Sequence, residues 1–387
     1  MVGAGPAGAW TAYELARRGA RVLVFDASHP REKPCGGGVT RRALARVAHA
    51  VDLASLPATA IRSARFVDSS RRGEAVSAVR ASSRDAVVPL GGDDLIVTSR
   101  AAFDAALLDA AQKAGARLCA ERVLDVRVDT GGVEINTARG AHRGAFLVGA
   151  DGANSLVRRR VAKPFRRDQL SIATGFFARG ITSGEVVVEL VDNPPGYLWS
   201  FPRLDHLAIG ICGPADVGQG SADLRARTAE WIRTTQVANG APLDAYAWPI
   251  PSLSASDLAT AAPAGTRWCL VGDAAGLVDP ITREGIFFAI ESGAYAADAL
   301  SRASPHDYVA RLRDEMMPEL ARAARFKAGF FRPAFMRLLV RALRESEGIR
   351  RVMIDLIAGT QSYRALKWRL LKTLEGRLAW RMLMADG

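Results

Sequence analysis

The chain opens on Met1-Val-Gly3-Ala-Gly5-Pro-Ala7-Gly8, runs straight into Ala9–Arg18, whose apolar spacing is helical, and then into Arg21–Phe25, a short apolar run ending at Asp26. Gly3, Gly5 and Gly8 have the GxGxxG spacing. The first two glycines permit a tight turn and close approach of backbone to a pyrophosphate, and the third lets a helix pack closely on a strand. The helix start offers N–H groups and a positive dipole end to phosphates. Asp26, at the end of the following strand, stands where a carboxylate would accept hydrogen bonds from a ribose. These features together predict a βαβ unit at the head of a dinucleotide-binding α/β fold. Only Met1 and Val2 precede Gly3, whereas such a first strand ordinarily brings about five residues, so a strand that begins upstream of Met1 is expected.

Composition excludes several classes. The 387 residues are 49% apolar and 24% charged, the balance of a globular chain with ample core rather than a disordered tail, a collagen repeat or a small disulfide scaffold. Charged residues or glycines interrupt every apolar stretch before about 18 residues, so no membrane span is predicted. Gly3 to Gly8 stand where a signal peptide would carry a basic and then an apolar run. Cys35, Cys119, Cys212 and Cys269 form no CxxC pair and no metal-ligand spacing, which suits reduced thiols in a cytoplasm and no metal site.

The net charge of +12 would ordinarily suggest nucleic acid or an anionic membrane. Its location is informative. Residues 301–387 carry 18 Lys+Arg against 9 Asp+Glu, so most of the excess lies there. From Phe326 to Arg344 and from Tyr363 to Met384, apolar residues recur at three- and four-residue steps between Arg and Lys, and Trp368 and Trp380 suit an interface. A helical region resting on an anionic membrane surface is therefore expected, and nucleic acid is not. Two basic helices packed on the rest of the chain would show the same periodicity.

Further chemistry follows along the chain. Arg31-Glu-Lys-Pro-Cys35-Gly36-Gly37-Gly38 allows backbone conformations and approaches that side chains would block, and a helix is expected from Thr40. Another starts at Arg100, and the strands Ala116–Ala120, Val123–Val128 and Val133–Thr137 read as a meander. Ala145 to Ser155 is a strand running into Asp151-Gly152 at a helix start, a second turn competent for phosphate. Four strands are expected between Leu170 and Cys212: Ile172–Phe177, Glu185–Leu190, Gly196–Pro202 and Leu207–Cys212, an antiparallel sheet of a separate lobe. Within it, Tyr197, Trp199 and Phe201 share one face by the period-2 rule, as plain core or as a flat wall for an apolar ligand. Arg267 to Gly276 delivers a strand into Gly272-Asp273, and Pro280-Ile-Thr-Arg-Glu-Gly285 leads into a long helix from Ile286 to Leu300. A carboxylate at a strand end suits the hydroxyls of a sugar or ribityl chain, and a helix start stabilises negative charge on a ring.

The ordered set GAGPAG, Asp26, KPCGGG, the Arg100 helix, GADGANS, PGYLWSFP and GDAAGLVDPITREG resembles the geranylgeranyl reductase family, within the glutathione-reductase-like FAD superfamily, over about residues 1–300. The resemblance implies a Rossmann-like α/β FAD-binding domain (1–165 and 266–300), an inserted antiparallel β-rich substrate lobe (166–265) and a basic helical C-terminal region (301–387). It places Gly3, Gly5, Ala7, Gly8 and Asp26 at the ADP half of FAD, and Arg100 and Asp151 at its phosphate and ribityl region. Gly36, Gly37, Gly272, Asp273, Pro280, Gly285 and Ile286 would complete the flavin site. Cys35 would lie by the flavin as the candidate catalytic group, and Tyr197, Trp199 and Phe201 would line an isoprenoid cavity. The implied reaction is hydrogenation of C=C bonds in a prenyl lipid or isoprenoid quinone side chain. The resemblance implies an external electron donor, NADPH or a ferredoxin-like protein, and the single full GxGxxG predicts no dedicated nicotinamide domain and leaves the choice of donor open. A flavin monooxygenase or halogenase shares the GxGxxG, DG and GD turns. A non-enzymatic basic protein that binds anionic surfaces is the remaining alternative.

Overall fold

The first turn sets the architecture. Gly3 takes φ +98°, a left-handed conformation open to glycine at little cost, and a Cβ there would stand 2.4 Å from the Ala150 carbonyl oxygen. The chain then enters a helix with Pro6 in its first turn, where the missing N–H is no loss. The computed structural model describes residues 1–67, 84–92, 94–217, 220–238 and 240–373. In chain order its helices are α1 (Pro6–Ala16), α2 (Arg41–Val47), α3 (Arg100–Lys113), α4 (Leu156–Val161), α5 (Ser221–Thr235), α6 (Ala255–Thr260), α7 (Ile286–Ser301), α8 (Pro305–Arg311), α9 (Met317–Phe330), α10 (Pro333–Glu345), α11 (Glu347–Ile357) and α12 (Tyr363–Leu371).

One lobe is a layered α/β unit. Leu23–Phe25 pairs in parallel with Arg117–Cys119, and Leu147–Gly149 in parallel with Trp268–Leu270. Val2 bridges Phe25 on one side and Gly149 on the other, joining the two pairs into one parallel layer. α1 packs against α3 and α7, and their small residues (Ala9, Ala12, Ala16, Ala110, Ala296) belong to the same buried cluster as Val24, Phe25 and Leu147. The expected meander is corrected here. Residues 117–119 belong to the parallel layer, and the meander consists of Val123–Val128, Val133–Thr137 and Gly140–Gly144. A sequence window shows alternation but not which neighbour a strand takes.

The second lobe is a seven-stranded sheet in the order Leu243–Pro251, Leu170–Arg179, His206–Pro214, Pro195–Pro202, Glu185–Asp192, Ser63–Val67 and Ala86–Pro89. It is antiparallel except where Glu185–Asp192 runs parallel to Ser63–Val67. The sheet thus takes two strands from the front of the chain as well as those between 166 and 265. Alternation sorts its faces. Leu198, Ile209 and Ile211 pack with Leu224, Trp231 and Ile232 of α5, while Trp199, Cys212, Phe177 and Tyr246 form a cluster on the opposite face.

α9 to α12 cover the space between the lobes. The stretch from Phe326 to Arg344 is two helices rather than one, because Pro333 starts α10 after a break at Phe331–Arg332. Phe331, Leu339 and Leu370 are buried with Ala64, Phe66 and Val88 of the large sheet, and Phe330, Phe335, Leu338 and Leu366 pack on that cluster. Most of the apolar stripe that was expected to meet a membrane therefore makes core. On α12, Trp368 is 70% and Leu371 40% exposed. Leu374, Leu378, Trp380 and Leu383 lie outside the described residues. No helix among the described residues is long and apolar enough to cross a membrane. The four cysteines are unpaired.

Candidate functional site

The two lobes and the C-terminal helices line one continuous, partly open cavity of about 1200 Å³. That exceeds the roughly 300–1,000 Å³ of an ordinary ligand pocket, and its lining changes character from end to end. One end is the glycine turn, Asp26 and Asp151, and the other is walled by Phe66, Val188, Phe330, Leu339 and Leu356.

At the polar end the three glycines divide their work as the spacing predicts. A Cβ on Gly5 would meet only the Asp104 carboxylate, at 4.0 Å, so this glycine leaves its face open to a ligand. Gly8 has the Gly3 carbonyl oxygen 2.0 Å from its hypothetical Cβ, so its role is close packing. The α1 N-terminus has no side-chain cap, which leaves its positive end to a phosphate. Asp26 accepts the Ala4 N–H at 2.9 Å and the Ser28 N–H and hydroxyl at 2.9 and 2.8 Å. Burial works against its charge, yet those hydrogen bonds hold its pKa below the usual carboxylate value. Asp151 differs. Burial raises its pKa in spite of hydrogen bonds from Ser155 and the Val157 N–H, which tie it to the start of α4.

The glycine run after Cys35 is held by an arginine that the sequence reading missed. Arg203, 2% exposed, donates to the carbonyls of Cys35, Gly36 and Thr98 and to Glu32. Gly37 has φ +80°, with the Arg203 guanidinium 2.4 Å from a hypothetical Cβ, and a Cβ on Gly36 would lie 2.9 Å from the Phe201 ring. Glu32 also accepts from the first N–H groups of α3. The only sequence signal for Arg203 is its place directly after the Tyr197 to Pro202 strand. Arg100 is buried in a two-pronged pair with Asp104 at 2.9 Å and points a third N–H at Cys35 Sγ, 3.6 Å away. Burial opposes its charge, but Asp104 and Cys35 raise its pKa. A bound phosphate would therefore meet an arginine already partnered by a carboxylate.

Gly3, Gly5, Ala7, Asp26, Cys35, Gly36, Gly37, Arg100, Asp151, Asp273, Gly285, Ile286, Tyr197, Trp199 and Phe201 all line the cavity. Gly8, Gly272 and Pro280 do not. Gly272, at φ +56°, packs against Ala7 and Ala289 and donates to Ser292, while Val278 and the run from Ile281 to Ile286 supply the cavity wall. Lys33 pairs with Asp273 at 2.9 Å, joining the Cys35 loop to the second glycine-acid turn. Glu284 is held by Thr40 and Arg42, and Tyr363 of α12 donates to Asp279 at 2.9 Å. The aromatic stripe does two things. Tyr197, Trp199 and Phe201 pack on the cluster of Phe177, Cys212 and Tyr246 and also face the cavity, with the Tyr197 hydroxyl on the Thr282 carbonyl.

A cavity of about 1200 Å³ with an uncapped helix start, a glycine whose face is open and a charged acid in its wall fits a dinucleotide, and the turn at 280–285 in the same wall fits a ring. Comparison with known proteins agrees. Residues 1–305 match the FAD binding domain family. The menaquinone reductase of Mycobacterium tuberculosis is 30% identical over 322 residues, covering 78% of this chain and 75% of that protein. The geranylgeranyl diphosphate reductase of Rhodobacter capsulatus is 29% identical over 316 residues, covering 77% and 73%. Among solved structures, a geranylgeranyl bacteriochlorophyll reductase-like protein from Thermoplasma acidophilum superposes with a TM-score of 0.76 at 21% identity, covering 96% of this chain and 98% of that one. A flavin-dependent brominase reaches 0.68 at 18% identity, covering 96% and 97%, so the fold alone spans both chemistries. The chain belongs to the FAD binding domain family and is a geranylgeranyl-reductase-like, FAD-dependent oxidoreductase.

Proposed function

We propose that this oxidoreductase hydrogenates C=C bonds of a prenyl lipid or of the side chain of an isoprenoid quinone. The observation that carries the reading is the continuity of the polar, glycine-lined end of the cavity with an apolar chamber walled by the aromatic stripe and by α9 to α12. Bound FAD, reduced by an external donor, supplies the hydride for one carbon of the double bond, and a proton completes the other. The chain's own part is orientation and exclusion. The GxGxxG turn, Asp26 and the α1 start hold the ADP half, Asp151 the region of the ribityl chain, and the 280–285 turn the ring. Trp199 and Phe201 lay an apolar chain along the opposite wall, and the C-terminal helices keep water out. Cys35, fixed by N–H groups of Arg100 and Arg203 pointed at its sulfur, serves the proton transfer or shapes the wall.

The outer face of α12 supports a peripheral place on an anionic membrane. Exposed Trp368 and Leu371 sit beside Arg364 and Lys372, and the inner face of the same helix lines the cavity through Leu366, Lys367 and Leu370. A scarcely soluble substrate would then enter beside the bilayer. The reaction is tested by incubating FAD-loaded protein anaerobically with a reductant and geranylgeranyl diphosphate or menaquinone, followed by mass spectrometry. Products heavier by two hydrogens per reduced bond are expected. Oxygenated or halogenated products in air, with no hydrogenated product under any donor, would overturn it.

A further inference from the structure

Two half-buried cations at the 280–285 turn make no ion pair among the described residues. Arg283, on the cavity wall, and Lys327 of α9 both donate to the Ser252 hydroxyl, at 2.6 and 2.8 Å. Arg283 Nε and Nη2 are buried with no hydrogen-bond partner among the described residues. Asp273 pairs with Lys33 and Glu284 with Arg42. Asp279 is held by two backbone N–H groups and the Tyr363 hydroxyl and keeps its charge, but it makes no ion pair with Arg283 or Lys327 among the described residues. Asp216, which acts on Lys327 across space, is exposed, so water screens it. Arg283 also holds φ +60°, a left-handed conformation that a long side chain seldom takes, and such strain persists where the surroundings enforce it.

Burial first, and then the charge of Arg283, pull the Lys327 ammonium down to about 8, against Cys212 and Asp216. That is the behaviour of a cation whose neighbours do not neutralise it. A half-buried pair of like charges on one hydroxyl favours a neighbouring site that accepts negative charge.

We propose that Arg283 and Lys327 together set the redox poise of bound FAD, favouring its negatively charged reduced form by electrostatics across the 280–285 turn. The inference rests on the reading of that turn as the flank of the flavin ring. No contact is needed, because charges in a low-dielectric interior act over several ångströms, and charge near a flavin is one of the means by which a protein tunes it. The two cations are positioning residues for electrons rather than catalytic groups.

The test is the midpoint potential of the FAD-loaded full chain, read spectroscopically against reference dyes, for Lys327→Met, Lys327→Arg, Arg283→Gly and Arg283→Lys. Glycine accepts the left-handed φ, so Arg283→Gly removes the charge while easing the backbone. Each neutral variant is expected to shift the oxidised-to-reduced ratio about tenfold toward oxidised, a fall of about 30 mV for a two-electron couple, while the charge-keeping variants stay with the wild type. Neutral variants that retain FAD at an unchanged potential would overturn the proposal. Gly285→Val separates the underlying reading, because it adds bulk to the cavity face of the same turn. Loss of FAD from Gly285→Val with unmoved potentials in the charge variants overturns the electrostatic inference alone. Retained FAD in Gly285→Val together with unmoved potentials overturns both.

Discussion

Asp26 and Lys327 show how a single side chain's surroundings fix its use. Asp26 keeps its charge because backbone N–H groups outweigh its burial, so it enters the site as an acceptor already oriented toward the glycine turn. Asp26→Ala is expected to weaken FAD binding by about 1–3 kcal/mol, measured as the dissociation constant by flavin fluorescence, and an unchanged constant would remove Asp26 from the site. Lys327 is the opposite case, a charge its fold penalises. Its folded pKa, about 8, lies below the ordinary 10.5, so the unfolded chain binds more protons between those values and wild-type stability rises with pH across that window. Below pH 8 the penalty is full. Lys327→Met should therefore stabilise the fold at pH 7 by about 2 kcal/mol after allowance for partial solvent screening, seen as a higher thermal midpoint, with the gap to the wild type closing as pH climbs from 8 toward 10.5. A constant gap across that range would show that the ammonium is not penalised.

At the scale of elements, the strand Pro195–Pro202 and the helix α12 form two walls of the same cavity. The strand turns Leu198 into the α5 face and Trp199 toward the cavity, so its alternation both builds the lobe and lines the site. Trp199→Ala should lower turnover of a prenyl substrate at least tenfold while leaving dithionite reduction of bound FAD unchanged, compared by product formation and by flavin bleaching. Equal losses in both assays would make the stripe structural. The α12 helix is anchored at its start by Tyr363 on Asp279 and Glu319 and is exposed at Trp368. Each Lys or Arg near an anionic leaflet contributes about 1 kcal/mol, fading within a Debye length. Cosedimentation with anionic vesicles should thus rise with the anionic fraction, fall with salt, and drop in Trp368→Ser at unchanged flavin content. Absence of wild-type binding at low salt would dismiss the membrane and leave the flavin site intact.

Across the whole molecule, the cavity is an interior seam between two lobes and a helical cover rather than a pocket within either. Binding along such a seam stabilises the assembled state by mass action. Free FAD at about a hundred times its dissociation constant should add roughly 2.7 kcal/mol, seen as a thermal midpoint that climbs with FAD concentration. A midpoint insensitive to FAD would mean that the lobes do not close on it. In the described part of the C-terminal region, apolar residues at three- and four-residue steps face the sheet, and most of the arginines between them are exposed.

The sequence by itself determined the local chemistry. The GxGxxG spacing, the acid closing the next strand, the glycine-acid turns and the alternating aromatics were legible because each depends on backbone conformation or periodicity within a dozen residues. Only the tertiary structure decided who meets whom. Residues 117–119 belong to the parallel layer instead of the meander, residues 63–67 and 86–89 belong to the far lobe, and Gly272 and Pro280 stand off the cavity lining. Arg203 and Glu32, 171 positions apart, meet at the Cys35 loop, and Lys327 reaches Ser252 across 75. A lone arginine or lysine carries no pattern along the chain. Its meaning comes from burial, which strips it of water and makes its partner, or the lack of one, decisive.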